Sequence, residues 1–232
     1  MFVQTGDVLD RGLEGQRMLK FLWALQDEQP DNVVLLLGNH ETWMFTQEYR
    51  LEQAAVLPKD LCTYTKDFDK CIGAPQQMHQ DQQKDNVCFM SPPQLGLATS
   101  SECFARAWSG FGWMGSHMLA RLKSRQVKIA HMVSDTLFVH AGVTRGALEL
   151  LDKPDRECIA EMNQRAFDAI SHGFGPDDFV IAALQSVEGR EGMSRDGPTW
   201  TRRFGNDYYG GLRRGVCEEV KEVVERLGVD RM

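Results

Sequence analysis

No apolar run in this sequence is long enough to cross a bilayer. The longest, Val33 to Leu37, falls far short of the roughly 20 residues required, which excludes a membrane-spanning helix. Positive charge is also scarce: Lys and Arg number 26 against 33 Asp and Glu, a net charge of −7. Affinity driven by a nucleic-acid backbone or by anionic lipid is therefore not expected. The six cysteines, Cys62, Cys71, Cys88, Cys103, Cys158 and Cys217, form no CxxC pair and have no matching His spacing, which argues against structural zinc. With no secretory leader in front of them, reduced thiols in an intracellular compartment are expected. No Pro/Gly/Ser-rich linker divides the 232 residues, so one domain over residues 1–232 is expected.

What is present is ordinary for a globular protein with a sizeable core: 42% hydrophobic and 25% charged residues. Phe2 to Thr5 is a short β-prone run that delivers Gly6 and Asp7 onto a loop. From Leu13 to about Asp27, Met18, Leu22 and Leu25 recur at helical spacing, with Leu19 and Phe21 widening the stripe and Pro30 closing the segment. Val33 to Leu37 predicts a strand buried on both faces, so the order strand, helix, strand implies a right-handed βαβ unit. Another helix is expected from Glu41 to about Ala55. Residues from about 56 to 103 are punctuated by Pro58, Gly73, Pro75, Pro92 and Pro93 and hold a Gln cluster at Gln76, Gln77, Gln80, Gln82 and Gln83. They are expected to form an irregular insertion, either a lid or decoration.

Gly115 to Lys123 predicts a short helix. Val127 to Val133 and Thr136 to Val139 predict two strands around Ser134-Asp135, the second ending in His140-Ala141-Gly142. Asp155 to Ser171 is expected to be a helix with Ile159, Met162, Ala166 and Ile170 inward. Val216 to Leu227 is expected to be another, with Val216, Val220, Val223 and Leu227 on one face and Gly228 at its end.

Two stretches concentrate chemistry: Gly6-Asp7-Val8-Leu9-Asp10-Arg11-Gly12 and Gly38-Asn39-His40-Glu41. Each falls where a strand ends and a loop begins, the place where open α/β sheets bind ligands. They combine carboxylates, an amide, an imidazole and a guanidinium, the mixture a hard-metal phosphate site requires. His140, at a third strand end, adds a ligand-type residue, and the Gly197-Pro198-Thr199-Trp200-Thr201-Arg202 segment adds a further cation. His79, His117, His131 and His172 have no motif around them and are read as structural or exposed. The tryptophans are scattered, and core packing is their expected role.

GDxxDRG followed by GNHE and then HAG closely resembles the calcineurin-like metallophosphoesterases, and within them the PPP-type protein phosphatases. The variant GDVLDRG, the GPTWTR segment and the ending LGVDRM resemble the Shewanella-like protein phosphatases. The resemblance implies an α/β fold of two mixed β-sheets packed face to face with flanking helices. It implies hydrolysis of phosphate monoesters, on phosphoproteins in the first instance, by attack of a metal-bridging hydroxide. Two divalent metal ions are implied, manganese first, with iron or zinc as alternatives. Asp7 would bridge both ions, and Asn39 and His140 would ligate the second. His40 would be the general acid, oriented by Asp10. Arg11, Asn39 and Arg202 would bind substrate phosphate, with Arg203 the alternative to Arg202. Glu41 would be a structural partner within the GNHE turn and not a ligand.

Ala141 stands where the family usually has a second glycine, and Thr201 where it commonly has tyrosine. The family's DxH motif would precede Phe2 and its final GH motif would follow Met232. The chain therefore reads as a fragment incomplete at both ends, expected to hold a metal pair weakly and to have lost any targeting segment. Two competing readings are a catalytically impaired scaffold that binds partners and a small-molecule phosphoesterase such as a dinucleoside polyphosphate hydrolase. GDVLDRG with Glu41 weighs against the latter, since related bacterial enzymes generally carry GNHD.

Overall fold

The computed structural model describes residues 1–9, 15–46, 113–154, 156–173, 177–184, 197–204 and 215–232. They fall into two compact units. The first comprises Met1–Asp7, Gln29–Glu48 and Arg125–Met232; the second comprises Val8–Glu28 and Tyr49–Ser124. The expected insertion at 56–103 lies outside the described residues.

In the first unit, β1 (Phe2–Gln4), β2 (Val33–Leu36) and β3 (Val127–Lys128) form a parallel sheet in that order. β2 lies in the middle and all its residues are buried, as a central parallel strand requires. The register runs Phe2↔Val33, Val3↔Val34 and Gln4↔Leu35. Continued along both strands, it sets Asp7 beside Gly38.

The run from Val127 to Val133, expected as one strand, is broken at Ile129. β3 pairs with β2 through Leu35↔Val127 and Leu36↔Lys128. β4 (Ala130–Val133) leaves to pair antiparallel with β5 (Thr136–Val139), from Ala130↔Val139 to Val133↔Thr136. Ile129 and Ala130 are fully buried at this corner, so their backbone groups need partners. Asn163 supplies them: its Oδ1 accepts the N–H of Ile129 (2.9 Å) and of Ala130 (3.2 Å), and its Nδ2 donates to Ala130 O (2.8 Å). Alternation of apolar residues could not reveal the break, because both halves of the run suit a strand.

The second sheet is extended by Arg231, which bridges Thr136 in parallel and accepts the Leu137 N–H at 2.8 Å. That sheet is thus mixed, and with its flanking helices the unit is the α/β arrangement expected. The helices of this unit are α2 (Asn39–Thr46), α4 (Arg145–Glu149), α5 (Glu157–His172), α6 (Asp178–Leu184) and α7 (Val216–Leu227). α2 begins at Asn39, two residues before the expected start. α4 was not expected. It is short, and Thr144 caps it by accepting the Ala147 N–H on Oγ1 (3.1 Å). α7 ends at Gly228 as expected, with a left-handed φ of 61° and Val229 N–H reaching Val224 O. On its inner stripe, Glu219 at 3% exposure accompanies Val216, Val223 and Leu227, while Val220 is only half-buried.

The described part of the second unit is built on α1 (Gly15–Glu28) and α3 (Trp113–Lys123). The buried stripe of α1 is Leu19, Leu22, Trp23 and Gln26, whereas Met18 and Phe21 are exposed. The expected helix is therefore present but rotated from the expected phase. The cause is polar: Gln26 turns inward to accept Nη1–H of the buried Arg121 at 3.0 Å, while Arg121 Nη2 donates to Asp27 Oδ2 at 2.8 Å. His117 stacks on Trp23 with centroids 5.3 Å apart. Among the described residues no helix is long and apolar enough to cross a membrane.

Candidate metal and phosphate site

The site lies at the C-terminal ends of β1, β2 and β5. Between β1 and β2 the two loops approach so closely that neither tolerates a side chain at its glycine. A Cβ at Gly6 (φ +95°) would collide with the Gly38 backbone, and one at Gly38 would collide with the Asp7 carboxylate and N–H. Asp7 itself takes a left-handed φ of 56°, a conformation that Asp tolerates better than most residues.

Glu41 holds the two loops together. It is buried at 2% exposure, and its Oε2 accepts both the Asp7 N–H and the Gly38 N–H, each at 2.8 Å. Its place in the first turn of α2 suits the positive end of that helix. The structural role expected for Glu41 is thus the one the hydrogen bonds describe.

The Asp7 carboxylate faces two imidazoles. Oδ1 accepts the His40 backbone N–H at 3.2 Å, and Oδ2 lies 3.7 Å from His40 Nε2 and 3.5 Å from His140 Nε2. His140 Nδ1 is 2.7 Å from the carbonyl oxygen of Thr5. A carbonyl only accepts, so Nδ1 carries a proton, and in the neutral imidazole that a metal ligand requires Nε2 then presents its lone pair. That lone pair lies 3.1 Å from Asn39 Oδ1.

Asp7 Oδ2, Asn39 Oδ1 and His140 Nε2 thus converge as three acceptors. Such a cluster is repulsive unless a proton or a metal cation sits among them, and its mixture of oxygen and imidazole nitrogen suits a first-row divalent metal. The Thr5 carbonyl on the far nitrogen of His140 is the outer partner that fixes a metal-binding imidazole in its tautomer. Among the described residues no group of three His, Cys, Asp or Glu is gathered to hold a metal; here the third donor is an amide.

Of the residues singled out from sequence, Asp7, Asn39, His40 and His140 are brought together. Asp10 and Arg11 lie outside the described residues. Arg202 is exposed, on a segment tied to the His140 strand end by the hydrogen bond from Ala141 N to Pro198 O at 2.7 Å. The sequence reading missed the Thr5 carbonyl, which no side-chain motif can announce. It also missed Glu219, whose signal was an acid falling on the apolar stripe of an amphipathic helix.

The family model for calcineurin-like phosphoesterases matches residues 1–181. Among solved structures, a cold-active protein-tyrosine phosphatase of a psychrophilic Shewanella species aligns at a TM-score of 0.53 and 16% identity, over 98% of this chain and 51% of that one. A point mutant of a cold-active protein tyrosine phosphatase aligns with the same figures. The present chain thus spans about half the length of these structures, and at that identity the likeness speaks for the fold alone. The comparison with curated proteins finds no match. With the family model covering most of its length, the chain belongs to the calcineurin-like phosphoesterase family.

Proposed function

We propose that this chain carries the metal and acid-base centre of a phosphoprotein phosphatase of the PPP type, similar to the Shewanella-like group. The observation that carries the reading is the convergence of Asp7, Asn39 and His140 as acceptors beside the buried His40. Divalent metal ions bound there, manganese first, would neutralise phosphoryl charge and lower the pKa of water toward neutrality. Asp7 would give its carboxylate to the metal ions, and Asn39 Oδ1 and His140 Nε2 would be further ligands.

His40 is the general acid. Its backbone N–H is fixed on Asp7 Oδ1 and its Nε2 lies 3.7 Å from Asp7 Oδ2, and as the acid it would give an Nε2 proton to the leaving ester oxygen. By resemblance to the family, Asp10 would orient the imidazole, and Arg11 and Arg202 would bind phosphate oxygens. Protein substrates are favoured over nucleotides by the GDVLDRG and GNHE variants. Partners are phosphorylated proteins, without nucleic acid or membrane insertion.

Calorimetric titration with manganese is expected to show binding that is abolished in Asp7→Asn and His140→Ala. In the whole protein, His40→Asn should retain the metal and lose turnover of a phosphopeptide by about 10²–10⁴-fold. Metal binding that persists in both ligand variants would refute the assignment. Faster hydrolysis of dinucleoside polyphosphates than of phosphopeptides would redirect the substrate class.

A further inference from the structure

The described stretch 197–204 offers two adjacent arginines, and the structure gives them different fates. Residues 197–201 are locked in place. Pro198 O accepts the Ala141 N–H (2.7 Å), Thr199 Oγ1 donates to Ala183 O, and Trp200 Nε1 donates to Leu184 O (3.2 Å). A Cβ at Gly197 would strike the Ala183 backbone. Thr201 is buried, and its Oγ1 accepts the Arg203 N–H at 3.2 Å, which turns the chain at the intervening residue.

Arg203 Nε donates to Glu219 Oε2. The Glu219 side chain is only 4% exposed, and its other oxygen accepts the Arg145 N–H at 3.2 Å. A buried carboxylate is costly without its cationic partner, so Arg203 is committed to it. Arg202, one residue earlier, is exposed and makes no hydrogen bond or ion pair among the described residues.

We propose that Glu219 is a positioning residue: by holding Arg203 it reserves Arg202 as the guanidinium of this segment that meets a substrate phosphate. This deepens the phosphatase reading and rests on it. Of the two arginines left open by the sequence, the ion pair removes one.

Arginine-selective labelling of the manganese-loaded chain with phenylglyoxal, mapped by peptide mass spectrometry, tests the idea. Arg202 should label about tenfold or more faster than Arg203, the suppression that one hydrogen bond to a charged group can produce. In Glu219→Gln the two rates should converge. Inorganic phosphate should slow labelling of Arg202 in the wild type and do so less in Glu219→Gln. Arg203→Met, altering a side chain that is 43% exposed, should weaken that protection in the same way even where Glu219→Gln does not fold. Arg203→Lys, which keeps the ion pair, should restore it.

Equal labelling of the two arginines in the wild type would overturn the proposal. So would protection of Arg202 that is unchanged in both Glu219→Gln and Arg203→Met. A labelling difference without any protection by phosphate would instead overturn the phosphate role of Arg202, with the ion pair intact.

Discussion

At the residue scale, the site depends on groups that are inconspicuous in the sequence. Gly6 and Gly38 are needed because two strand-end loops touch where a side chain would have to go. Gly38→Ala would push a methyl group into the Asp7 carboxylate. The expected outcome is a loss of about 1–3 kcal/mol in urea unfolding, typical of overpacking, together with a loss of manganese affinity seen by titration. His40, Asn39 and His140 could be named from GNHE and HAG. The tautomer of His140 could not, because it depends on the carbonyl of Thr5, far away in the chain.

At the element scale, strand identity came from apolar runs and alternation, and strand partners came from elsewhere. Val127 to Val133 is continuous in pattern and divided in space, with Asn163 of α5 binding the corner. Asn163→Leu would strand the buried N–H groups of Ile129 and Ala130. At about 1–3 kcal/mol for each unsatisfied group, it should lower the unfolding midpoint markedly without altering the metal ligands, a result that urea denaturation and metal titration together check. The α1 helix teaches a related point. Hydrophobic periodicity placed Met18 and Phe21 on the stripe, and the structure places Gln26 there, because a buried Arg121 needed an acceptor.

At the scale of the whole molecule, stability is linked to protons and, on the proposed function, to metal. The imidazole of His131 is held below its ordinary value near 6.5, first by burial and then by the Lys128 charge, whose Nζ lies 3.3 Å from His131 Nδ1. Between that lowered value and 6.5 the unfolded chain binds more protons than the folded one, so this group makes stability rise with pH across that window and fall on acidification. Lys128→Met should raise the His131 midpoint followed by proton NMR. Manganese at about a hundred times its dissociation constant should stabilise the fold by about 2.7 kcal/mol. Thermal unfolding with and without chelator reads that gain, and none is expected in His140→Ala.

The sequence alone determined the family and named the residues that converge at the candidate site, because Asp7, Asn39, His40 and His140 sit in short motifs whose spacing is local. It also determined most helices and strands, since their periodicity is carried by neighbouring residues. Only the tertiary structure decided that the Val127–Val133 run serves two sheets, that Glu41 ties Asp7 to Gly38, and that Arg203 is spent on Glu219 while Arg202 stays exposed. Each of these is a contact between residues far apart in the chain. Such contacts are set by which surfaces the folded backbone brings together, and no local pattern encodes them.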